Sequence, residues 1–427
     1  MNNLSISNNR HYIMEGNNPF FWLGDTAWLL FSNLTKEEAY IYLKNRADKG
    51  FNVIQAVLIY STKDLDTINK MYCKRTDISS VQYWEHIDNI LDIAESLGLY
   101  VALLPCWGSL IKSNIITEEN VTKYTEFLTK RFKNRHNIIW VLGGDIKADN
   151  YINLYDKWGF HLKNAMPEKL ITFHPFGRCL SAQWFNNRDW LDFHMFQSGH
   201  RRYDQCNLGA WDDTNNPSFY GEDNWKYVKQ SFEIDNKPVL DGEPSYEWIL
   251  QGLHDINEPY WKAKDVRRYA YWSVLSGACG HTYGDNSIMQ FYKNGYNGVN
   301  YGVVCEWEEA LHHEGSSQMT HLKNIMSSID FTNGKCNDNL LIDGQQSRHN
   351  RISVFAGNDY LIAYDYSGNT FRLNVSEYAG KDMWWISPVT GIKSYIGKCG
   401  SICTSTFTAH QFTKIENGNT DRLLYIK

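Results

Sequence analysis

The sequence has no cysteine pair at CxxC spacing, no basic start followed by an apolar stretch, and no apolar run near the roughly 18 residues of a membrane span. Its nine cysteines (Cys73, Cys106, Cys179, Cys206, Cys279, Cys305, Cys336, Cys399 and Cys403) are odd in number and scattered. That excludes a disulfide framework and makes reduced thiols the expectation. The expected setting is cytoplasmic, or exported if a leader was trimmed, with no membrane partner. An excess of positive charge is also missing, since 42 Lys plus Arg against 48 Asp plus Glu leave a formal charge of −6. Nucleic acid is therefore not an expected partner. The glycine-rich fingerprint of the dinucleotide fold is absent, as are HxH and HExxH spacings, so neither a cofactor nor a metal is expected. What is abundant is aromatic: 16 Trp, 27 Tyr and 20 Phe. Flat apolar rings with polar edges suit a sugar-binding cleft as well as a core.

With 427 residues, 43% of them hydrophobic and 21% charged, the chain is globular and longer than one domain usually needs. Strand and helix patterns alternate from about residue 20 to 327. Strands are expected at 20–23, 52–59, 100–105, 137–142, 170–173, 193–197, 238–240 and 280–283. Between them lie amphipathic helices. One opens on Thr35-Lys36-Glu37-Glu38, a capping box. Others show Trp84, Ile87, Leu91, Ala94 and Leu97, or Val121, Tyr124, Leu128 and Phe132, at helical spacing. Further helical stretches are expected near 150–165, 219–235, 261–276 and 306–327. Eight apolar strands between such helices predict an α/β fold, a (β/α)8 TIM barrel over residues 1–327. From about 328 the pattern changes to short strands between Gly, Asn and Asp turns, at 351–355, 360–364, 371–375, 383–386 and 423–426. Residues 328–427 are expected to form a small all-β sandwich domain.

In such a barrel the active site lies where the strands end, at their C-terminal side. The residues there are polar: Asp25, Gln55, Trp107, Asp145, His174, Gln197 with His200, Glu243, and His281 with Tyr283. Trp28 and Tyr246 follow in the loops. Asp145 and Glu243, after the fourth and seventh strands, are the catalytic candidates. Glycoside hydrolysis needs one carboxyl to protonate the leaving oxygen and another to attack the anomeric carbon or activate water. Gly143 and Gly144 permit close approach at Asp145, and Pro244 biases Glu243 to an extended conformation. The histidines read as hydrogen-bond partners for substrate hydroxyls, with no metal. Of Trp22, Trp28, Trp107, Trp184, Trp190, Trp211 and Trp248, all placed for stacking on a sugar, Trp22 is expected in the core. Arg201-Arg202 and Asp212-Asp213 read as solvated loop charges that can also wall the cleft, and Cys399 with Cys403 as strand packing.

The runs Phe21-Trp22-Leu23-Gly24-Asp25-Thr26-Ala27-Trp28, Gly50-Phe51-Asn52-Val53-Ile54-Gln55, Trp140-Val141-Leu142-Gly143-Gly144-Asp145, Phe193-His194-Met195-Phe196-Gln197-Ser198-Gly199-His200 and Asp241-Gly242-Glu243-Pro244 together resemble the apiosidases of glycoside hydrolase family 140. Trp384-Trp385-Ile386-Ser387-Pro388-Val389-Thr390-Gly391 is similar to the β-sandwich that ends these proteins, often labelled collagen-binding; collagen binding is not carried over. The resemblance implies Asp145 as acid/base and Glu243 as nucleophile of a retaining enzyme. It also implies apiose, a branched furanose, as the sugar released from plant glycosides or pectic rhamnogalacturonan II. One departure stands out: most of the wider clan carries Asn-Glu where this chain has Gly144-Asp145. Alternatives are another furanosidase, such as an arabinofuranosidase, or a carbohydrate-binding protein without turnover.

Overall fold

The computed structural model describes residues 1–60, 81–205, 220–295, 298–344, 347–400, 404–408 and 420–427. Trp211, Asp212, Asp213 and Cys403, singled out above, lie outside the described residues.

Three short antiparallel strands come first, β1 (Leu4–Ile6), β2 (Ile13–Glu15) and β3 (Asn18–Phe20). The strand expected at 20–23 thus divides: Phe20 ends β3, and Trp22–Thr26 forms β4. The barrel continues with β5 (Val53–Val57), β6 (Tyr100–Leu104), β7 (Ile138–Ile146), β8 (Ile171–Pro175), β9 (His194–Phe196), β10 (Val239–Asp241) and β11 (Gly280–Tyr283). All its pairings are parallel, in the order β11-β4-β5-β6-β7-β8 plus β9-β10. Backbone hydrogen bonds bridge the two groups, Asp192 N to Ile171 O at 2.8 Å and Cys279 N to Val239 O at 2.9 Å. Eight strands therefore close into a (β/α)8 barrel.

The strands are nearly continuous in hydrophobicity because both faces are covered. Ile54 and Ala56, Val101 and Leu103, and Trp140 and Leu142 pack with the helices. The alternating Val53 and Val57, Ala102 and Leu104, and Ile139 and Val141 join a second core with Trp22, Phe193, Met195 and Leu240. Trp22 is fully buried, as its pattern predicted. The capping box forms: Glu38 N donates to Thr35 Oγ1 at 3.3 Å and Thr35 N donates to Glu38 Oε2 at 2.8 Å, starting helix Lys36–Asp48.

Two antiparallel sheets follow the barrel. One has the order β12 (Lys335–Cys336), β14 (Ile352–Ala356), β15 (Leu361–Asp365), β20 (Arg422–Ile426), β17 (Asp382–Ile386), β18 (Lys393–Lys398). The other is β13 (Leu341–Asp343), β16 (Phe371–Asn374), β19 (Thr404–Phe407). Val354, Leu361, Phe371, Leu373, Trp385 and Leu424 fill the space between them. Strands β12, β13, β18 and β19 escaped the sequence reading. β18 alternates Lys393, Tyr395 and Gly397 on a largely exposed edge, without an apolar face to give a signal.

The sandwich docks on helix Ala263–Leu275. Arg267 makes a two-pronged buried ion pair with Asp421, Nε to Oδ2 at 2.9 Å and Nη2 to Oδ1 at 2.8 Å. Tyr271 stacks on Tyr364 with ring centroids 4.6 Å apart. The described cysteines form no disulfide with one another. Among the described residues no helix is long and apolar enough to cross a membrane.

Candidate active site

The ends of β7, β9 and β10 open on a cavity of about 290 Å³. Asp145, Glu243, Gln197, His200, Tyr246, Trp28 and Trp107 all line it. Trp28 and Tyr246, 218 residues apart in the chain, thus converge on the mouth. Trp28, Trp107 and Tyr60 form an aromatic wall, with centroids 5.1 Å apart for Trp28–Trp107 and for Tyr60–Trp107.

Asp145 stands on an unusual stretch of backbone. Gly143, Gly144 and Asp145 all have positive φ, 95°, 94° and 54°, and the β7–β8 register breaks between Gly143 and Ile146. A Cβ on Gly143 would lie 2.2 Å from the His174 carbonyl oxygen, so the glycine is obligatory for both conformation and space. Asp145 itself adopts the left-handed conformation that only Gly, Asn and Asp enter readily. Gly143→Ala is expected to cost about 2 kcal/mol or more and to displace the segment bearing Asp145. A lowered melting temperature and a reduced kcat/KM check this; an unchanged melting temperature contradicts it.

The two carboxyls are displaced in opposite directions. Asp145 keeps part of its surface open to the cavity, yet burial of its carboxyl, reinforced by the charge of Glu243, raises its pKa to about 6. For Glu243, burial pushes upward but is outweighed by His174 and His200, which hold it at about 2. His200 Nε2 lies 3.0 Å from Glu243 Oε1 and His174 Nε2 lies 3.1 Å from Oε2. Asp145 N donates to His174 Nδ1 at 3.4 Å, which assigns the ring proton to Nε2, facing Glu243. His174 thereby links the backbone of one carboxylate residue to the side chain of the other. It is fully buried behind Glu243 rather than lining the cavity.

Four other residues expected at the substrate are placed elsewhere. Asp25 is fully buried and pairs with Arg46 Nε at 2.5 Å and Tyr42 Oη at 2.6 Å. Arg46 projects from the following helix, so Asp25 serves the strand–helix layer. Tyr283 Oη donates to Glu247 Oε2 at 2.6 Å, inside the protein. His281 is fully buried outside the cavity lining, and burial lowers its pKa to about 3, leaving a neutral ring. Gln55 reaches across the barrel and donates from Nε2 to Gly242 O at 2.8 Å. It steadies the residue before Glu243 instead of meeting substrate. These residues sit in β4, β5 and β11, where a strand-end position in sequence did not reveal the direction of the side chain.

Of the remaining tryptophans, Trp190 is buried and Trp184 donates to Asp149 Oδ1 at 3.0 Å. Trp248 lies under the Lys262 ammonium, 3.0 Å from the ring centroid. None of the three lines the cavity. Arg201 is not a solvated charge: it is buried and lines the cavity, whereas Arg202 pairs with Asp204 at 2.6 Å. Sequence reasoning missed Tyr60, Phe176, Arg178, His254 and Tyr301, all cavity residues in loops without periodic pattern. It also missed Asp241, whose carboxylate accepts from Ser198 Oγ at 2.7 Å and Asn224 Nδ2 at 3.0 Å, and so anchors the segment that carries His200. Among the described residues no group of three or more His, Cys, Asp or Glu is arranged to hold a metal ion.

A paired acid and carboxylate in an aromatic, polar-lined barrel mouth is glycosidase chemistry. Residues 7–333 match the profile described as "Apiosidase-like, catalytic domain". The chain belongs to the apiosidase-like family. Residues 337–426 match the profile described as "Putative collagen-binding domain of a collagenase". The chain is similar to a solved structure titled "Glycoside hydrolase", with 38% identity and a TM-score of 0.90 over 100% of this chain and 96% of the other. It is equally similar to a glycoside hydrolase family 5 protein from Bacteroides vulgatus, with 37% identity and a TM-score of 0.90 over 99% and 93%. An endo-1,4-β-D-mannanase from Thermotoga petrophila shares the barrel fold at 13% identity, with a TM-score of 0.50 over 72% and 100%. Comparison with curated proteins returns no match. This apiosidase-like protein is a glycoside hydrolase, and its substrate is a carbohydrate.

Proposed function

We propose that the enzyme is a retaining glycosidase that releases apiose from plant glycosides or pectic fragments, with Asp145 as acid/base and Glu243 as nucleophile. The observation that carries the reading is the opposite displacement of two carboxyls on one cavity. Glu243, ionised between its two histidines, attacks the anomeric carbon while Asp145 passes its proton to the leaving oxygen, giving a glycosyl ester. Forming the ester removes the negative charge that raises the pKa of Asp145, so its proton affinity falls between the two half-reactions. Ionised Asp145 then takes a proton from the water that attacks the same carbon, and Glu243 departs as carboxylate. Trp28 and Trp107 offer faces to the sugar, and Gln197, Arg178 and Arg201 offer hydrogen bonds to hydroxyls. His174 and Gln55 are positioning residues in this scheme.

Incubation with an aryl apioside and an aryl arabinofuranoside tests the sugar. Preferential aglycone release from the apioside supports the reading; preference for the arabinoside replaces it with the arabinofuranosidase alternative. Heat stabilisation without release would leave only a binding protein. The pH profile tests the roles. The acid must be protonated and the nucleophile ionised, so kcat/KM is expected to hold between about 2 and about 6 and to fall as pH rises through the Asp145 pKa. Undiminished activity at pH 8 contradicts the assignment of Asp145.

We also propose the division into a catalytic module, residues 1–327, and a supporting one, residues 328–427. His349, in the second, has Nε2 2.8 Å from Glu222 Oε2, while Tyr203 N donates to Glu222 Oε1 at 2.8 Å. Through this carboxylate the sandwich braces the loop that follows His200 and Arg201. The scattered cysteines, unbridged among the described residues, favour a reducing, cytoplasmic setting.

A further inference from the structure

Past Tyr301 the catalytic cavity continues into an outer hollow of about 540 Å³, lined by Leu250, Leu253, His254, Ile256, Val299 and Tyr301 among others. Leu253, His254 and Tyr301 belong to both spaces. The chemistry changes across that shared edge. Inside stand Asp145, Glu243, Gln197, His200 and two arginines, which suit a ring rich in hydroxyls. Outside, four aliphatic side chains dominate, and Ile256 leaves 68% of its surface to water.

The shared edge is also rigidly built. Leu253 and Tyr301 are held at φ 77° and 49°, a conformation that side chains of this kind rarely adopt without support from their surroundings. The support is visible: Leu253 N donates to Leu250 O at 3.0 Å, Asn286 Nδ2 donates to Tyr301 O at 3.0 Å, and the His254 and Tyr301 rings lie 5.6 Å apart. Leu250 packs so closely on Gly302 that a Cβ there would come within 2.7 Å of Leu250 Cδ1. An aliphatic shelf is thus presented at a fixed place, directly outside the reacting carboxyls.

We propose that this shelf is the leaving-group subsite and that it takes an apolar, aryl-bearing aglycone, so the substrate is a small hydrophobic glycoside rather than a polysaccharide branch. The inference rests on the glycosidase reading above and narrows it. With the sugar in the polar inner cavity, whatever lies beyond the scissile bond extends outward over Tyr301. A second sugar there would set most of its hydroxyls against Leu250, Leu253, Ile256 and Val299, with Asn300, His254 and Tyr301 as the polar side chains of the lining, and so would lose more water contacts than it gains partners. An aryl group would bury apolar surface on both sides of the contact.

The test compares the methyl and the 2-phenylethyl glycoside of the same furanose. Both leave as alkyl alcohols, so a rate difference reports binding rather than leaving-group acidity. The 2-phenylethyl glycoside is expected to have a kcat/KM about tenfold or more above the methyl one, and the ratio is expected to fall toward one in Ile256→Ser and Val299→Ser. A ratio near one in the wild type, or one unchanged in both variants, overturns the subsite. Binding of 2-phenylethanol alone, followed by ligand-observed NMR, gives a readout without turnover. It is expected for the wild type and weakened in Ile256→Ser. Hydrolysis of both glycosides without such binding sinks the subsite and spares the glycosidase reading. Binding without hydrolysis of either glycoside sinks the apiosyl reading and supports the subsite.

Discussion

Glu243→Gln is expected to lose about 10⁴-fold or more of kcat on every glycoside, activated or not, with the fold intact. The amide keeps the volume of the carboxylate but has no lone pair of comparable nucleophilicity, and no covalent ester can form. The exchange also disturbs the two contacts that fix the side chain. The carboxylate meets His200 Nε2 at 3.0 Å and His174 Nε2 at 3.1 Å, whereas an amide offers one acceptor and one donor, so one ring must lose its contact or change tautomer. A change of a few degrees in melting temperature is therefore expected, far too small to account for the lost rate. Removing the charge of Glu243 also removes one cause of the raised Asp145 pKa, so that carboxyl should titrate lower in the variant. Addition of azide provides a sharper check. In Glu243→Ala, where the side chain is cut away, the small anion seated where the nucleophile was attacks the activated sugar and yields the glycosyl azide of opposite anomeric configuration, an outcome unavailable to an enzyme weakened only in binding. Wild-type turnover in Glu243→Gln removes Glu243 from the mechanism.

Asp145→Asn is expected to split substrates by their leaving group. With an alkyl glycoside the departing alkoxide needs a proton, and losing the general acid should cost about 10² to 10⁴ in kcat/KM. With a dinitrophenyl glycoside the departing phenolate needs little help, so glycosylation should be nearly spared. The second half-reaction then becomes limiting, because no base activates water, and the intermediate should accumulate as a burst of released phenol. The high-pH fall of the wild-type profile should also disappear, since it reports the group replaced. Uniform loss across leaving groups would instead mark Asp145 as a residue that shapes the site. Asn enters the left-handed conformation as readily as Asp, so the backbone at φ 54° should survive the change.

Much of this architecture was legible before any coordinates. Apolar runs of strand length separated by amphipathic helices carry a strong signal, because parallel strands are buried on both faces and every helix must present an apolar stripe. The capping box at Thr35 and Glu38 could be read from four consecutive residues because its two hydrogen bonds are local. The place of Asp145 and Glu243 on one cavity could be read because Gly-Gly-Asp and Asp-Gly-Glu-Pro interrupt apolar runs at the strand ends. The four short strands of the sandwich were not legible, since a two- to six-residue edge strand with mixed polarity leaves no periodic trace.

What the sequence by itself determined is the class of fold, the order of its units and the positions of the two carboxyls along the chain. These follow from periodicity and from local backbone chemistry. Only the tertiary structure decided what each strand-end side chain does. Asp25 and Gln55 look alike in sequence, each polar at the end of an apolar strand. Yet Asp25 turns to Arg46, 21 residues on, while Gln55 crosses the barrel to Gly242, 187 residues on. The opposite pKa displacements of Asp145 and Glu243 also arise from packing. They depend on which histidines come within 3.0–3.1 Å of one carboxylate and on how deeply the other is withdrawn from water. A residue type fixes what a side chain is able to do. The direction in which the closed barrel points it, and the neighbours it meets there, fix which of those things it does.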